Sequence, residues 1–209
     1  MATVGLSDDA RKWPSALLAL CIVPAVAGLA LGMVSQPWTD DGSWVQWGTD
    51  SSAWLLFVAG GVLRWWSAIY RGAQQPQELL AIGPYSFYRY PQHVGALAIA
   101  CSLALFMQSG TMAVGFSLAA LLYFSASAAA ERRRLTRDFG PQYAEYRQRV
   151  SAFWLRPGLF HTPDAVLTDI RALIAELRCT AFWMWVPALG KMVAQFRAEQ
   201  WWPHLLRLL

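Results

Sequence analysis

Two short stretches of the sequence concentrate the residue types that could do chemistry. The first, 83–95, contains Arg89 and His93, and the second begins at Glu131 and ends at Tyr146. An arginine, an imidazole, a carboxylate and several aromatic rings suit a zwitterionic cation. The carboxylate would bind an ammonium, the donors a carboxylate, and the aromatic faces a sulfonium or a flat base.

The segment between these stretches predicts how they meet. Residues 94–107 and 112–130 are apolar and are separated by Gln108, Ser109 and Gly110. This pattern predicts a tight hairpin of two helices. Because the second helix returns antiparallel to the first, Arg89 to His93 are expected to lie beside Glu131 in one pocket.

The rest of the chain predicts a membrane protein. It has 209 residues, is 56% hydrophobic and only 14% charged, and contains 12 Trp. Two further apolar segments, 15–34 and 53–70, are about long enough to cross a hydrocarbon core of roughly 30 Å. We therefore expect a single all-α integral membrane domain with about four transmembrane helices, or five if the tail also crosses, plus cytoplasmic or interfacial C-terminal helices.

The positive charges predict an orientation. They cluster before the first span, after the second and after the fourth, whereas the two opposite loops have no Lys or Arg; the residues are Arg11, Lys12, Arg71, Arg89, Arg132, Arg133, Arg134 and Arg137. The positive-inside rule then places both termini and the polar pocket in the cytoplasm. A bacterial inner membrane fits this pattern.

The sequence after the fourth span is charged and amphipathic. Residues 131–157 have a helical pattern that is broken at Gly140 and Pro141, and 164–209 form an amphipathic tail. Charges on both sides of its apolar part, together with Trp201 and Trp202, favour a helix lying at the membrane interface. A fifth tilted span remains the alternative.

The composition also argues against several functions. No basic stripe indicates binding of nucleic acid. Cys21, Cys101 and Cys179 lie in or beside apolar stretches without a CxxC pair or a nearby His, so no metal site is expected. The oligomeric state is left open.

The two polar stretches resemble one enzyme superfamily. They read GPYSFYRYPQHVG and ERRRLTRDFGPQYAEY. They are similar to the signature of the isoprenylcysteine carboxyl methyltransferase and phospholipid N-methyltransferase superfamily, which is approximately G-P-Y-x-x-x-R-H-P-x-Y-x-G, a hairpin, and E-E-x-x-L-x-x-x-F-G-x-x-Y-x-x-Y. The resemblance covers residues 79–157.

The resemblance implies methyl transfer from S-adenosylmethionine to a lipid-embedded or hydrophobic small-molecule acceptor. It implies a catalytic role for Arg89, His93 and Glu131. The residues it implies as cofactor ligands are Leu79, Leu80, Tyr85, Tyr90, Pro91, Gln92, His93 and Glu131. Because methyl transfer is an in-line displacement at a sulfonium, such a site would mainly position the nucleophile and exclude water.

Several positions depart from the signature. Tyr90 stands where the superfamily usually has His, His93 where it usually has Tyr, and Arg132 where it has a second Glu. Ser127 occupies the position at which the eukaryotic isoprenylcysteine enzymes have an Arg for the substrate carboxylate. Arg64, in the second span, is the candidate to replace that Arg, so Arg64 and Ser127 are the expected substrate-binding residues.

Two other functions are considered. One is an NADPH-dependent membrane reductase of the steroid 5α-reductase type, but 93–96 lack the Asn and Glu of the N-Y-x-G-E pattern of that class. The other is a non-catalytic membrane protein that retains the fold, which the departures at Tyr90 and Arg132 favour.

Overall fold

The protein is all-helical in the part that the structure, a computed structural model, describes: residues 15–35, 42–72, 79–152, 157–166 and 168–199. The α-helices are α1 (Ser15–Met33), α2 (Trp44–Gly72), α3 (Pro91–Phe106), α4 (Gly110–Arg149), α5 (Ile170–Trp183) and α6 (Trp185–Ala198). Short 3-10 helices lie at Gly83–Ser86 and Pro157–Leu159. The all-α prediction is confirmed for these residues.

Two of the helices, α2 and α4, are long and apolar enough to cross a membrane. Large apolar side chains on α1, α2 and α4 remain exposed in the folded chain, among them Val23, Leu55 and Val114. An extensive exposed apolar surface is typical of a protein that contacts lipid. Helix α3 is also apolar but has only 16 residues, which corresponds to a length of about 24 Å.

Glycines allow the helices to approach closely. A Cβ atom on Gly115 of α4 would lie 2.6 Å from the Cα atom of Gly28 on α1, and one on Gly60 of α2 would lie 2.7 Å from the carbonyl oxygen of Gly95 on α3. In membranes, where lipid is as apolar as the helix surfaces, such small residues favour helix association through close van der Waals packing.

Two helices extend beyond the apolar segments from which they were predicted. Helix α2 begins at Trp44, nine residues before the predicted span, because Ser43 precedes it and accepts a hydrogen bond from the backbone N–H of Gln46 at 3.2 Å. Helix α4 continues through the charged segment after residue 130 and ends at Arg149. Its polar end therefore projects beyond the apolar part of the bundle.

The predicted break at Gly140 and Pro141 is confirmed. Gly140 has φ 45° and ψ −114°, which is not helical and which side chains other than glycine rarely adopt. Beyond this kink the last turns of α4 bend towards the 79–90 segment. Tyr143 and Tyr146 are thereby buried together with Val150, and Leu79 packs against them.

Some sequence predictions fall outside the described residues. They concern Arg11 and Lys12 at the N-terminus, residues 153–156 within the 131–157 segment, and Trp201 and Trp202 in the tail.

Candidate functional site

The start of α3 fixes the position of the imidazole. Tyr90 precedes the helix and Pro91 is its first residue, where the missing N–H has no role and the fixed φ of proline suits a helix. The backbone N–H of His93 donates to the carbonyl oxygen of Tyr90 at 3.0 Å. His93 therefore lies in the first turn of α3, at the end of the bundle where α3 packs beside α4.

His93 and Glu131 contact each other across the hairpin. Nε2 of His93 lies 3.2 Å from Oε2 of Glu131, with side-chain exposures of 21% and 26%. The imidazole stacks near the ring of Tyr90, at a centroid distance of 6.1 Å, and meets Phe124 edge-on at 6.3 Å. The proximity to Glu131 that the hairpin predicted is thus confirmed for His93.

Ser127 adds an unpartnered hydroxyl beside this pair. It lies four residues before Glu131 and three after Phe124, so all three share one face of α4. Its side chain is buried and its Oγ atom makes no hydrogen bond within the described chain. Leaving a buried hydroxyl unsatisfied costs about 1–3 kcal/mol, so this group is available to a polar ligand.

Buried tyrosines form one wall of the site. The hydroxyls of Tyr90 and Tyr143 are 2.9 Å apart, and the hydroxyl of Tyr146 donates to the carbonyl oxygen of Tyr85 at 2.6 Å. Burial raises the pKa of Tyr85, Tyr90 and Tyr146 above the usual tyrosine value, and for Tyr90 the hydrogen bond with Tyr143 adds to the increase. At neutral pH these tyrosines are therefore neutral hydrogen-bonding groups and not bases.

The turn at Gly83 positions the segment that carries Tyr85, one of these tyrosines. Gly83 has φ 58°, and a Cβ atom there would lie 2.5 Å from the ring of Tyr70, so both conformation and space require glycine. Its N–H donates to the carbonyl oxygen of His161 at 2.8 Å, and its own carbonyl accepts from the hydroxyl of Ser86 at 2.6 Å. The turn is thus held between α2 and the segment at 157–166.

Arg89 is engaged with the end of α4. Its Nε donates to the carbonyl oxygen of Val150 at 2.7 Å, and its backbone N–H donates to that of Ser151 at 3.0 Å. A cation at this position interacts favourably with the partial negative charge of a helix C-terminus. Its suggested catalytic role stays a prediction.

Arg64 is also engaged elsewhere. Its Nε donates to Oε1 of Glu176 on α5 at 2.7 Å, and its Nη2 lies 2.7 Å from the same oxygen. Substrate binding by Arg64 and Ser127 stays a prediction.

The other suggested cofactor ligands are distributed around the site. Tyr85 and Pro91 are buried, whereas Leu80 and Gln92 are only partly buried. Their contacts with a cofactor likewise remain predictions.

The sequence indicated Glu176 only as one of the charges of an interfacial helix and did not predict that it pairs with Arg64. An arginine within an apolar span needs a counter-charge, and this requirement would have directed attention to the few carboxylates of the tail. It also did not find the aromatic cluster at the base of the site, in which Trp66 lies 5.4 Å from Phe87 and 5.9 Å from Phe160 between ring centroids. That cluster joins three segments whose proximity has no local signal in the sequence.

The chain is similar to two bacterial metal resistance proteins. It is 26% identical over 187 residues to the nickel-cobalt-cadmium resistance protein NccN of Alcaligenes xylosoxydans xylosoxydans, an alignment that covers 90% of this chain and 86% of that protein. It is 32% identical over 120 residues to the cobalt-zinc-cadmium resistance protein CzcN of Cupriavidus metallidurans, covering 57% of this chain and 55% of that protein. No family model matches the chain, and no solved structure is significantly similar to it.

These relatives contradict the function that the signature suggested. They are named for metal resistance, so the assignment to the isoprenylcysteine carboxyl methyltransferase and phospholipid N-methyltransferase superfamily, with S-adenosylmethionine-dependent methyl transfer as the activity, is wrong, and so is the reductase alternative. The non-catalytic alternative did not name metal resistance either.

The structure gives a physical reason why the signature misled. Gly83 forms a turn with positive φ, Arg89 binds carbonyl groups at the end of α4, and Tyr146 holds the Tyr85 carbonyl. These motif residues stabilise the local fold. Their spacing therefore reports how the segment folds and does not specify a reaction.

Proposed function

We propose that this protein is an integral membrane protein that contributes to resistance against divalent transition-metal cations. The observation that carries the proposal is the similarity to the nickel-cobalt-cadmium resistance protein along 90% of this chain and 86% of that relative. Cobalt and cadmium occur in the names of both relatives, so they are the first cations to test.

We also propose that α1 to α4 cross a bacterial inner membrane, with the N-terminus and the end of the bundle that carries His93 in the cytoplasm. The exposed apolar faces of α1, α2 and α4 support this, as does the distribution of Arg and Lys between the loops. The polar end of α4, which carries Arg132 and Arg137 beyond the apolar segment, would then extend into the cytoplasm.

The cluster of His93, Ser127 and Glu131 is the site at which we expect this function to depend on individual side chains. It combines the His–Glu pair with a buried hydroxyl that has no partner in the described chain. The described residues contain no group of three or more His, Cys, Asp or Glu side chains placed to hold a metal ion. The proposal therefore assigns a role in resistance to this cluster without requiring a resident metal centre.

We separately propose that the ligands implied by the sequence resemblance bind at this site. Binding of S-adenosylmethionine and of a hydrophobic small molecule at the site around His93 and Glu131 is testable without assuming any reaction. The neutral tyrosine hydroxyls and the carboxylate of Glu131 are suitable partners for the polar groups of S-adenosylmethionine.

The test is complementation in the native host. Deletion of the gene should lower the cobalt and cadmium concentrations that halve growth, and the wild-type chain should restore them. His93→Ala and Glu131→Gln should fail to restore tolerance at an equal amount of protein in the membrane. Arg134→Ala is the matched control, because Arg134 forms an exposed pair with Asp138 at 3.6 Å, away from the site.

The possible results separate function from site. Unchanged metal tolerance after deletion would contradict the proposed function. Full complementation by both site variants would leave the function standing but would contradict the role of the His93–Glu131 pair.

A further inference from the structure

The C-terminal helices form one continuous arm along the bundle. Helices α5 and α6 have 14 residues each and are separated by Met184 alone. Neither is long enough to cross a hydrocarbon core of roughly 30 Å, since 14 residues span about 21 Å. Together they comprise residues 170–198, whose helical length of about 43 Å exceeds that thickness.

The arm starts at the end of α2 that is nearer to the candidate site. The hydroxyl of Thr168, just before α5, donates to the carbonyl oxygen of Ile69 at 3.3 Å. Ile69 lies near the end of α2, beyond Arg64 and close to the Tyr70 ring that packs against Gly83. By the proposed orientation this is the cytoplasmic end.

Two ion pairs fix the direction of the arm along α2. Glu176 binds Arg64, and Lys191 binds Asp50. The partners are 14 residues apart on α2 and 15 apart on the arm, which corresponds to about 21 Å and 22 Å of helix. The near-equal spacing and the reversed order show that the arm runs antiparallel to α2 over this distance.

A third contact marks the far end of the arm. The side chain of Arg197 is fully buried; its Nη1 donates to the carbonyl oxygen of Met107 at 2.9 Å, and its Nη2 to that of Ser35 at 2.7 Å. Met107 follows the end of α3 and Ser35 follows the end of α1. Because His93 lies in the first turn of α3, this contact is at the opposite end of the bundle.

Helix packing agrees with these polar contacts. A Cβ atom on Gly190 of α6 would lie 2.8 Å from the Cβ atom of Phe106 at the end of α3. Next to the Arg64–Glu176 pair, the indole N–H of Trp65 donates to the hydroxyl of Thr180 at 2.8 Å. The arm thus contacts the bundle at successive levels from one end to the other.

We propose that residues 170–198 form a fifth membrane crossing, so that the chain leaves the bilayer on the face opposite the His93–Glu131 pair. An interfacial helix keeps its charged side chains in water, whereas here Glu176, Lys191 and Arg197 each bind a partner on the bundle. The two exposed arginines of the arm, Arg171 and Arg178, lie in its first half, towards the end that is nearer to the candidate site. Pairing lowers the cost of placing charges within the membrane. Of the two arrangements that the sequence left open for the tail, the structure favours the crossing.

This topology differs from the expectation that both termini are cytoplasmic. Five crossings place the N-terminus and the C-terminus on opposite sides. Lys191 and Arg197 then lie on the far side, where each has a partner in the folded chain.

Reporter fusions to the full chain test the crossing directly. Alkaline phosphatase fused to a membrane protein is active only when it lies outside the cytoplasm. Green fluorescent protein in such a fusion fluoresces only when it lies inside the cytoplasm. We expect a phosphatase fused after Leu209 to be active and a fluorescent protein at the same position to be dark, with an N-terminal fluorescent fusion bright as the control. A bright C-terminal fluorescent fusion with an inactive phosphatase would overturn the proposal.

Cysteine labelling provides a second readout without a large fusion. In a chain with Cys21, Cys101 and Cys179 replaced by serine, a single cysteine appended after Leu209 should react with a membrane-impermeant maleimide in intact spheroplasts. Reaction only after lysis would refute the crossing. Metal tolerance does not enter either measurement, so its outcome and that of the proposed function are independent.

The register of the arm is tested by exchanging one ion pair. Asp50→Lys and Lys191→Asp should each lower the midpoint of thermal unfolding in detergent, and the double variant should recover most of the loss because opposite charges face each other again. A double variant that is no more stable than either single variant would contradict the antiparallel register.

Discussion

Removing the hydroxyl of Tyr146 isolates one buried hydrogen bond of the site wall. Tyr146 is 4% exposed, and its hydroxyl donates to the carbonyl oxygen of Tyr85 at 2.6 Å. Tyr146→Phe keeps the ring in its cluster with Tyr143 and Val150 but leaves that carbonyl without its donor. The loss of the bond and the unsatisfied buried acceptor together are worth about 1–3 kcal/mol.

The expected change in thermal stability follows from the size of the chain. For 150–250 residues, 1 kcal/mol corresponds to roughly 2–4 °C, so Tyr146→Phe should lower the unfolding midpoint by about 2–12 °C. The measurement is thermal unfolding of the detergent-purified protein followed by circular dichroism, with wild type and variant in the same detergent.

Tyr88→Phe is the matched control for this substitution. Tyr88 lies in the same 79–90 segment as Tyr85 and is partly buried, with its ring centroid 5.4 Å from that of Phe87. Its hydroxyl makes no hydrogen bond with the described residues. Its replacement should change stability by no more than about 0.5 kcal/mol. Equal shifts for the two variants would refute the reasoning, because the effect would then come from the loss of a hydroxyl in general and not from the Tyr85 contact.

Four further predictions test other parts of the structure. Burial raises the pKa of Tyr90 and Tyr146, so the neutral forms of both side chains stabilise the fold. This contribution is complete below the unfolded tyrosine pKa of about 10 and is lost as the pH rises further. The unfolding midpoint measured from pH 7 to 11 should therefore fall only in the upper part of that range. Gly115→Ala should destabilise the bundle by about 1–3 kcal/mol through the clash with Gly28. Gly48→Ala is the control and should not destabilise it, because the space around the Cβ position of Gly48 on α2 is open. Equal unfolding midpoints for the two variants would argue against close packing of α1 and α4. Arg197→Met should lower the unfolding midpoint by removing the hydrogen bonds to Met107 and Ser35, and a midpoint equal to that of the wild type would mean that this contact does not stabilise the arm. Calorimetry with S-adenosylmethionine should show binding that Glu131→Ala abolishes, and no heat from folded wild-type protein would end that prediction.

The failure of the functional prediction has an instructive physical basis. The signature residues are present, and the hairpin does bring His93 to Glu131. However, the glycine, arginine and tyrosine positions that made the resemblance specific serve turns, a helix end and a buried carbonyl. Shared local geometry constrains the same positions whatever ligand the site binds, so it identifies a fold more securely than an activity.

The sequence by itself determined the features that depend on residues close together in the chain. Apolar blocks predicted helices that are long and apolar enough to cross a membrane, Gly140 and Pro141 predicted the kink in α4, and the short turn at 108–110 predicted the antiparallel hairpin with its polar pair. These follow from interactions between residues that are close in the chain or are related by one hairpin, where spacing alone predicts proximity. Tertiary structure was needed for the contacts between distant segments.

Glu176 binds Arg64 across 112 positions, Lys191 binds Asp50 across 141, and Arg197 binds Ser35 across 162. Each partner has several alternatives of the same charge or polarity in the sequence. Only the packing of the arm against the assembled helices selects among them, and that selection decides on which side of the membrane we expect the chain to end.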